Sequence, residues 1–139
     1  MEHVIPSIPR LSGNGDGARQ LAPLTLAYVG DTVYDLFVRT RLVDGARMTP
    51  HGYHAAAAKL VCAAGQAAAY RRIEPLLTEP EKDICRRGRN AHSGTLPKNA
   101  LPGDYHLASG LEALMGYLYL SGEDARLSLL MDRALEGAL

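Results

Sequence analysis

The chain is predicted to be an all-α domain, on three observations. Apolar residues recur at three- and four-residue spacing along its longest regular stretches, strand signals are almost absent, and a helix-start signature falls where one such stretch begins. The 139 residues, 47% hydrophobic and 22% charged, suit one globular core. The formal net charge is zero, so any affinity for nucleic acid has to come from a local cluster of bases. No apolar run approaches the ~20 residues that cross a bilayer, and Pro6 and Pro9 interrupt the stretch where a signal peptide would be apolar. A cytoplasmic location without a membrane partner is therefore expected. Cys62 and Cys85 show no CxxC spacing and are expected to be buried reduced thiols.

Residues 1–17 are rich in Pro, Gly, Ser and Asn and read as a flexible lead-in, which leaves 18–139 as the folded domain. From Thr25 to Val43, Leu26, Val29, Val33, Leu36 and Phe37 trace the buried face of a first core helix. Pro50 and Gly52 predict a turn over 46–53, followed by one alanine-rich helix from His54 to Tyr70 whose small side chains permit close helix approach. Thr78, Pro80 and Glu81 form a capping-box start for a short helix ending near Gly88. The Gly-, Pro- and Asn-rich stretch from Gly88 to Asp104 predicts an exposed loop. Leu107, Leu111, Leu114, Met115 and Leu118 mark a helix to Leu120, and Ser121 with Asp124 predicts the cap of a last helix through Leu135.

Two acids stand out. Asp31 follows Gly30 and Glu112 precedes Gly116, each inside an otherwise apolar helical run. A carboxylate on a core-facing surface is costly to ionise unless a cation or hydrogen-bond donors meet it, and a glycine inside a helix costs about 1 kcal/mol relative to alanine. Packed side by side, the two helices would face Asp31 and Glu112 into one pocket able to hold a metal ion; periodicity alone equally allows two exposed acids. Complementary charge lies between Ile84 and Gly103, where Arg86, Arg87, Arg89 and Lys98 occur without any acid. Asn90, His92, Ser93, Thr95 and Asn99 are interleaved as hydrogen-bonding groups. Such a segment suits a phosphate backbone, although arginines at a helix C-terminus also serve its dipole.

Other chemistries lack their residues. The five histidines have no paired zinc spacing, so any metal is oxygen-ligated, and His54 reads as a helix-start or packing residue. There is no GxSxG elbow and no Walker-type glycine loop. Tyr117 and Tyr119 lie at helical spacing and read as core or interface residues rather than base-stacking platforms.

Four motifs occur in order: Leu26-Ala-Tyr-Val-Gly-Asp-Thr-Val-Tyr, Arg87-Gly-Arg-Asn-Ala, Gly94-Thr-Leu-Pro-Lys-Asn and Leu111-Glu-Ala-Leu-Met-Gly-Tyr-Leu-Tyr-Leu. Together they resemble the motifs of Mini-III, the short branch of the ribonuclease III family, over about 21–135. The resemblance implies a helical homodimeric endonuclease that cuts double-stranded RNA with Mg²⁺, for which Mn²⁺ can substitute. It further implies 5′-phosphate and 3′-hydroxyl products and a role at the ends of large-subunit ribosomal RNA precursors, with a large-subunit ribosomal protein as a further partner. By position, Asp31 and Glu112 match the family's catalytic metal ligands. Arg86, Arg87, Arg89, Asn90, Ser93, Thr95, Lys98 and Asn99 make up the expected RNA-binding segment. Two further acids of full-length ribonuclease III are here Ala27 and Ser109, which leaves the count at one or two metal ions and a non-catalytic RNA-binding or ribosome-assembly protein as the alternative.

Overall fold

The computed structural model describes residues 10–11, 15–91 and 101–139. Six α-helices and no strand occur among them: α1 (Pro23–Gly45), α2 (Pro50–Val61), α3 (Ala63–Ile73), α4 (Glu79–Asn90), α5 (Pro102–Leu120) and α6 (Asp124–Ala134). Short 3-10 segments precede α1 and follow α3. None of these helices is long and apolar enough to cross a membrane.

Helix α5 is the centre of the molecule. Its residues Ala108–Gly110, Leu111 and Ala113–Gly116 are buried, and α1, α3 and α4 all pack on it, with α2 against α1 and α6 against α3. Apolar side chains on opposite faces of the α1–α5 pair feed a large cluster around Tyr34, Leu111 and Met115 and a smaller one of Leu26, Ile84 and Ala113. The crossing of α1 with α5 is a contact of backbone on backbone. A Cβ on Gly30 would lie 1.7 Å from the Glu112 carbonyl oxygen, and one on Gly116 would lie 1.9 Å from that of Leu26. Both glycines therefore serve close approach, which justifies their cost inside helices.

The capping box predicted at Thr78 is present. The Thr78 hydroxyl accepts from the Glu81 N–H, and the Glu81 carboxylate accepts from the Thr78 N–H. Elsewhere the boundaries differ from the sequence reading. Of the segment read as a turn, 46–49 is non-helical, but 50–53 is the first turn of α2: Pro50 opens the helix, where its missing N–H costs nothing, and the Thr49 hydroxyl accepts from the Gly52 N–H at 3.0 Å. His54 consequently lies inside α2, exposed, and not at a helix start. The alanine-rich stretch is two helices, because the chain becomes extended at Cys62. That break is held by tertiary contacts: the Tyr34 hydroxyl donates to the Leu60 carbonyl at 2.9 Å, and Gly65 fits where a Cβ would lie 2.3 Å from the Lys59 carbonyl oxygen. Helix α4 continues to Asn90 and α5 begins at Pro102, so the predicted loop is shorter at both ends.

Ser121 does not cap α6. It ends α5 in helical conformation, and Gly122 turns the chain at φ 76° so that the Gly122 and Glu123 N–H groups close on the Tyr119 and Leu118 carbonyls, a Schellman motif. Of the two thiols, Cys85 is buried, and burial pushes it up to about 12, whereas Cys62 at the break is exposed, contrary to expectation. Within the predicted lead-in, Arg10 is docked against the core: it pairs with Asp124 at 2.9 Å and its guanidinium lies 3.8 Å from the centre of the Tyr119 ring.

Candidate active site

The contact that closes α1 onto α5 also builds the site. Gly30 sits against the Glu112 carbonyl, so the next residue on α1, Asp31, is carried to the Glu112 side chain, and the two carboxyl groups hydrogen-bond each other. The pocket expected from sequence is thus formed by both acids. Asp31 is exposed and Glu112 half-buried, which leaves the pair open on the α1 side. Burial, followed by the hydrogen bond and the negative charge of Asp31, pushes the Glu112 carboxyl up to about 8. The raised value favours the protonated form of Glu112, which a cation at the site would displace.

A third side chain reaches the pair. Gln66 on α3 is 2% exposed and lies near enough to the Glu112 carboxyl to act against the upward shift. Sequence reasoning missed it. The available signal was its position as the one long polar side chain between Ala63 and Ala69, a run otherwise of alanine and glycine. Ser109, one turn before Glu112, is buried, and Ala27, one turn before Asp31, is half-buried. No cluster of three or more His, Cys, Asp or Glu occurs among the described residues, so the acids form a pair and nothing larger. Two uncompensated carboxylate groups with an amide behind one of them are hard oxygen donors, of the kind Mg²⁺ and Mn²⁺ take.

The basic residues divide into different tasks. Arg86, Arg87, Arg89 and Asn90 are on the last turns of α4 and not in a loop. Arg87 donates to the Arg19 and Leu21 carbonyls at 2.9 and 3.0 Å, tying the segment before α1 to α4. Arg86 pairs with Asp83 one turn back. Arg89 places its guanidinium 5.9 Å from the Tyr70 ring centre, and its stem packs over Gly110. Asn90 is exposed. Ser93, Thr95, Lys98 and Asn99 lie outside the described residues. On α1, Leu24, Tyr28, Leu36 and Val43 are exposed apolar residues on one side of the helix.

A helical domain whose central crossing apposes two acids has oxygen donors suited to a metal-assisted hydrolase, and comparison with known proteins gives it a family. Residues 24–123 match the family model of the Ribonuclease III domain. A protein called Mini-ribonuclease 3 from Symbiobacterium thermophilum is 46% identical over 114 residues, spanning 82% of this chain and 88% of its own length. Another of that name from Thermoanaerobacter sp. is 44% identical over 121 residues, spanning 87% and 85%. The crystal structure of a Fusobacterium nucleatum protein superposes with a TM-score of 0.77 at 25% identity, over 87% of this chain and 97% of that one. The chain belongs to the ribonuclease III family, in its Mini-ribonuclease 3 branch. It is accordingly an endoribonuclease of double-stranded RNA.

Proposed function

We propose that Asp31 and Glu112 are the catalytic metal ligands of this endoribonuclease and that the ion is Mg²⁺, with Mn²⁺ as a functional substitute. The observation that supports this is the acid pair itself: a raised carboxyl held against a second carboxyl, with no cation from the protein beside them among the described groups acting on Glu112. A fold that needed only stability would place a base or an apolar pair there. When bound, a divalent ion supplies charge that offsets the negative charge developing on the scissile phosphate and acidifies the attacking water. The chain's own residues do the remaining work. The backbone of Glu112 is fixed by the α1–α5 contact, and its carboxylate would hold the ion in its deprotonated form. Asp31, on the exposed side, would offer its oxygens to the same ion.

The family resemblance supports products with 5′-phosphate and 3′-hydroxyl ends. Arg86, Arg89 and Asn90 at the end of α4, continued by Ser93, Thr95, Lys98 and Asn99, hold the backbone of A-form RNA, which is read by shape and 2′-hydroxyls. Arg87 contributes to that surface by fixing its base, since its donors are committed to carbonyls. The exposed stripe of Leu24, Tyr28, Leu36 and Val43 on α1 is the surface we assign to a homodimer, which sets two centres for the two strands. The biological substrate is the end region of the large-subunit ribosomal RNA precursor in the cytoplasm, with a large-subunit ribosomal protein as its accessory.

The test is cleavage of end-labelled double-stranded RNA in Mg²⁺ and in EDTA by the intact chain, Asp31→Asn and Glu112→Gln. Cutting that requires Mg²⁺ and vanishes in both variants is the expected result. Undiminished cutting by either variant would remove these residues from the site, and RNA binding by the intact chain without cutting would leave the non-catalytic reading.

A further inference from the structure

We infer that Lys59, at the corner between α2 and α3, is a further phosphate-binding residue of this endoribonuclease, holding the RNA backbone beside the acid pair. The inference rests on the reading of Asp31 and Glu112 as the catalytic centre. Its first support is charge. Residues 45–73 contain no Asp or Glu, and their bases are Arg47, His51, His54, Lys59, Arg71 and Arg72. Arg71 and Arg72 are committed to the fold: one pairs with Asp104 at 3.4 Å and the other donates to the Ala134 carbonyl at 2.6 Å. Lys59 is exposed and forms no ion pair or side-chain hydrogen bond among the described residues.

The second support is position. The Tyr34 hydroxyl donates to the Leu60 carbonyl at 2.9 Å, and Gly65 fits where a Cβ would lie 2.3 Å from the Lys59 carbonyl oxygen. Tyr34 is three residues after Asp31, so the two are neighbours on the surface of α1. The backbone next to Lys59 is thereby anchored one turn of α1 from the exposed acid. From the same corner α3 runs onto α5, the helix of Glu112. Arg19, Arg47 and Arg133 are also without ion partners among the described residues, but the first two lie beyond the ends of α1 and the third is in the last turn of α6. Of these four bases, Lys59 is the one anchored next to Tyr34.

A polyanion brought to two acids is repelled unless bases flank them. Arg39, about two turns along α1 from Asp31, is paired with Asp35 at 3.1 Å, which leaves Lys59 to supply that charge. Its ammonium is a point charge on a flexible stem, suited to a phosphate whatever the base sequence. A lysine in the last turn of a helix also favours the helix dipole, a role worth about 0.3–1 kcal/mol that would be read in stability and not in RNA affinity.

The experiment is duplex RNA binding in EDTA over a KCl series, with single-turnover cleavage in Mg²⁺ and melting in EDTA, for wild type, Lys59→Gln, Lys59→Arg, Arg133→Gln and Asp31→Asn. Lys59→Gln is expected to bind about 5- to 10-fold more weakly, with a salt slope smaller by about 1 and a Tm close to that of wild type. Lys59→Arg should retain affinity and slope, and Arg133→Gln should match wild type. Unchanged affinity and slope in Lys59→Gln would overturn the inference. So would an equal loss in Arg133→Gln, or a fall in the Tm of Lys59→Gln large enough to account for the weaker binding. Full-rate cutting by Asp31→Asn would remove the centre on which the inference rests, and the two failures are told apart because the Lys59 contact is read by binding in EDTA and the acids by cleavage in Mg²⁺.

Discussion

At the edge where α4 meets α6, Glu81 is 5% exposed and completely answered: Arg126 donates to both of its oxygens at 2.8 Å, and the Thr78 N–H to one of them. Burial alone would raise its carboxyl, yet the Arg126 and Thr78 bonds outweigh burial and leave it below the ordinary range. Glu112, at the α1–α5 crossing, is shifted the other way, because burial and then Asp31 raise it and no cation of the protein acts against them. The edge acid is a clasp, and Arg126 extends it to the Leu76 carbonyl at 2.7 Å. At the crossing, an unfavourable charge arrangement is tolerated beside the tightest helix contact in the molecule. Burial of an acid is therefore a poor guide to its role, and the identity of its partner is a good one.

The contrast breaks hardest at the acids themselves. Asp31→Asn and Glu112→Gln are expected to slow cleavage about 10³-fold or more, the several kcal/mol of transition-state stabilisation a metal supplies, while raising the Tm of the metal-free chain. Single-turnover cleavage and melting in EDTA read the two effects together. Next in size, Gly30→Ala forces a Cβ to 1.7 Å from the Glu112 carbonyl oxygen. Helix propensity favours alanine by about 1 kcal/mol, so a net loss of ~4 kcal/mol or more in denaturant unfolding would isolate the contribution of the crossing.

Acid–base titration sharpens the comparison, since the two glutamates pull stability in opposite directions. Glu112 has its folded value raised from 4.5 to about 8. Its share of stability is full below about pH 4.5, declines as pH rises through that window and is lost above about 8, a few kcal/mol in the metal-free chain. Glu81, lowered by folding, contributes above about pH 4.5 and its share is lost as pH falls. Melts in EDTA between pH 4 and 9 should show both limbs. Asp31→Asn should reduce the alkaline decline without erasing it, because burial is the first cause of the Glu112 shift.

Removing the clasp gives a smaller effect of opposite sign to the acid variants. Arg126→Met strands Glu81 without its counter-ion and is expected to destabilise by about 3 kcal/mol with the cleavage rate of the folded enzyme unchanged. Smallest is Arg10→Ala, which removes an ion pair with Asp124 and a stacking contact on Tyr119, worth about 1 kcal/mol in the same unfolding measurement.

How much of this was legible varied with the range of the forces involved. The capping box at Thr78, the buried face of α5 and most of that of α1 were readable because local hydrogen bonds and periodicity determine them; Leu36, read as part of the α1 core face, is instead exposed. Asp31 and Glu112 were readable as odd acids beside glycines, and their meeting is the backbone contact those glycines permit. The break at Cys62 was not, because an alanine-rich run has no local reason to stop; Tyr34, remote in sequence, stabilises it. Gln66 was invisible for the same reason, since the carboxyl it lies near is on another helix. Ser121 misled because a serine before an acid looks like a cap, while Gly122 was the residue that turned the chain. Arg87 read as a phosphate contact, and only the position of the Arg19 and Leu21 carbonyls reveals its structural task.

Because carbonyl oxygens of one helix rest on the α-carbons of the other at Gly30 and Gly116, the separation of α1 and α5 is set by atomic radii and not by how side chains happen to fill the interior. Such a stop insulates the chemistry from drift elsewhere. Leucines and methionines of the large core can exchange over generations, swelling or thinning the packing, while the spacing of the acids stays where the two backbones hold it.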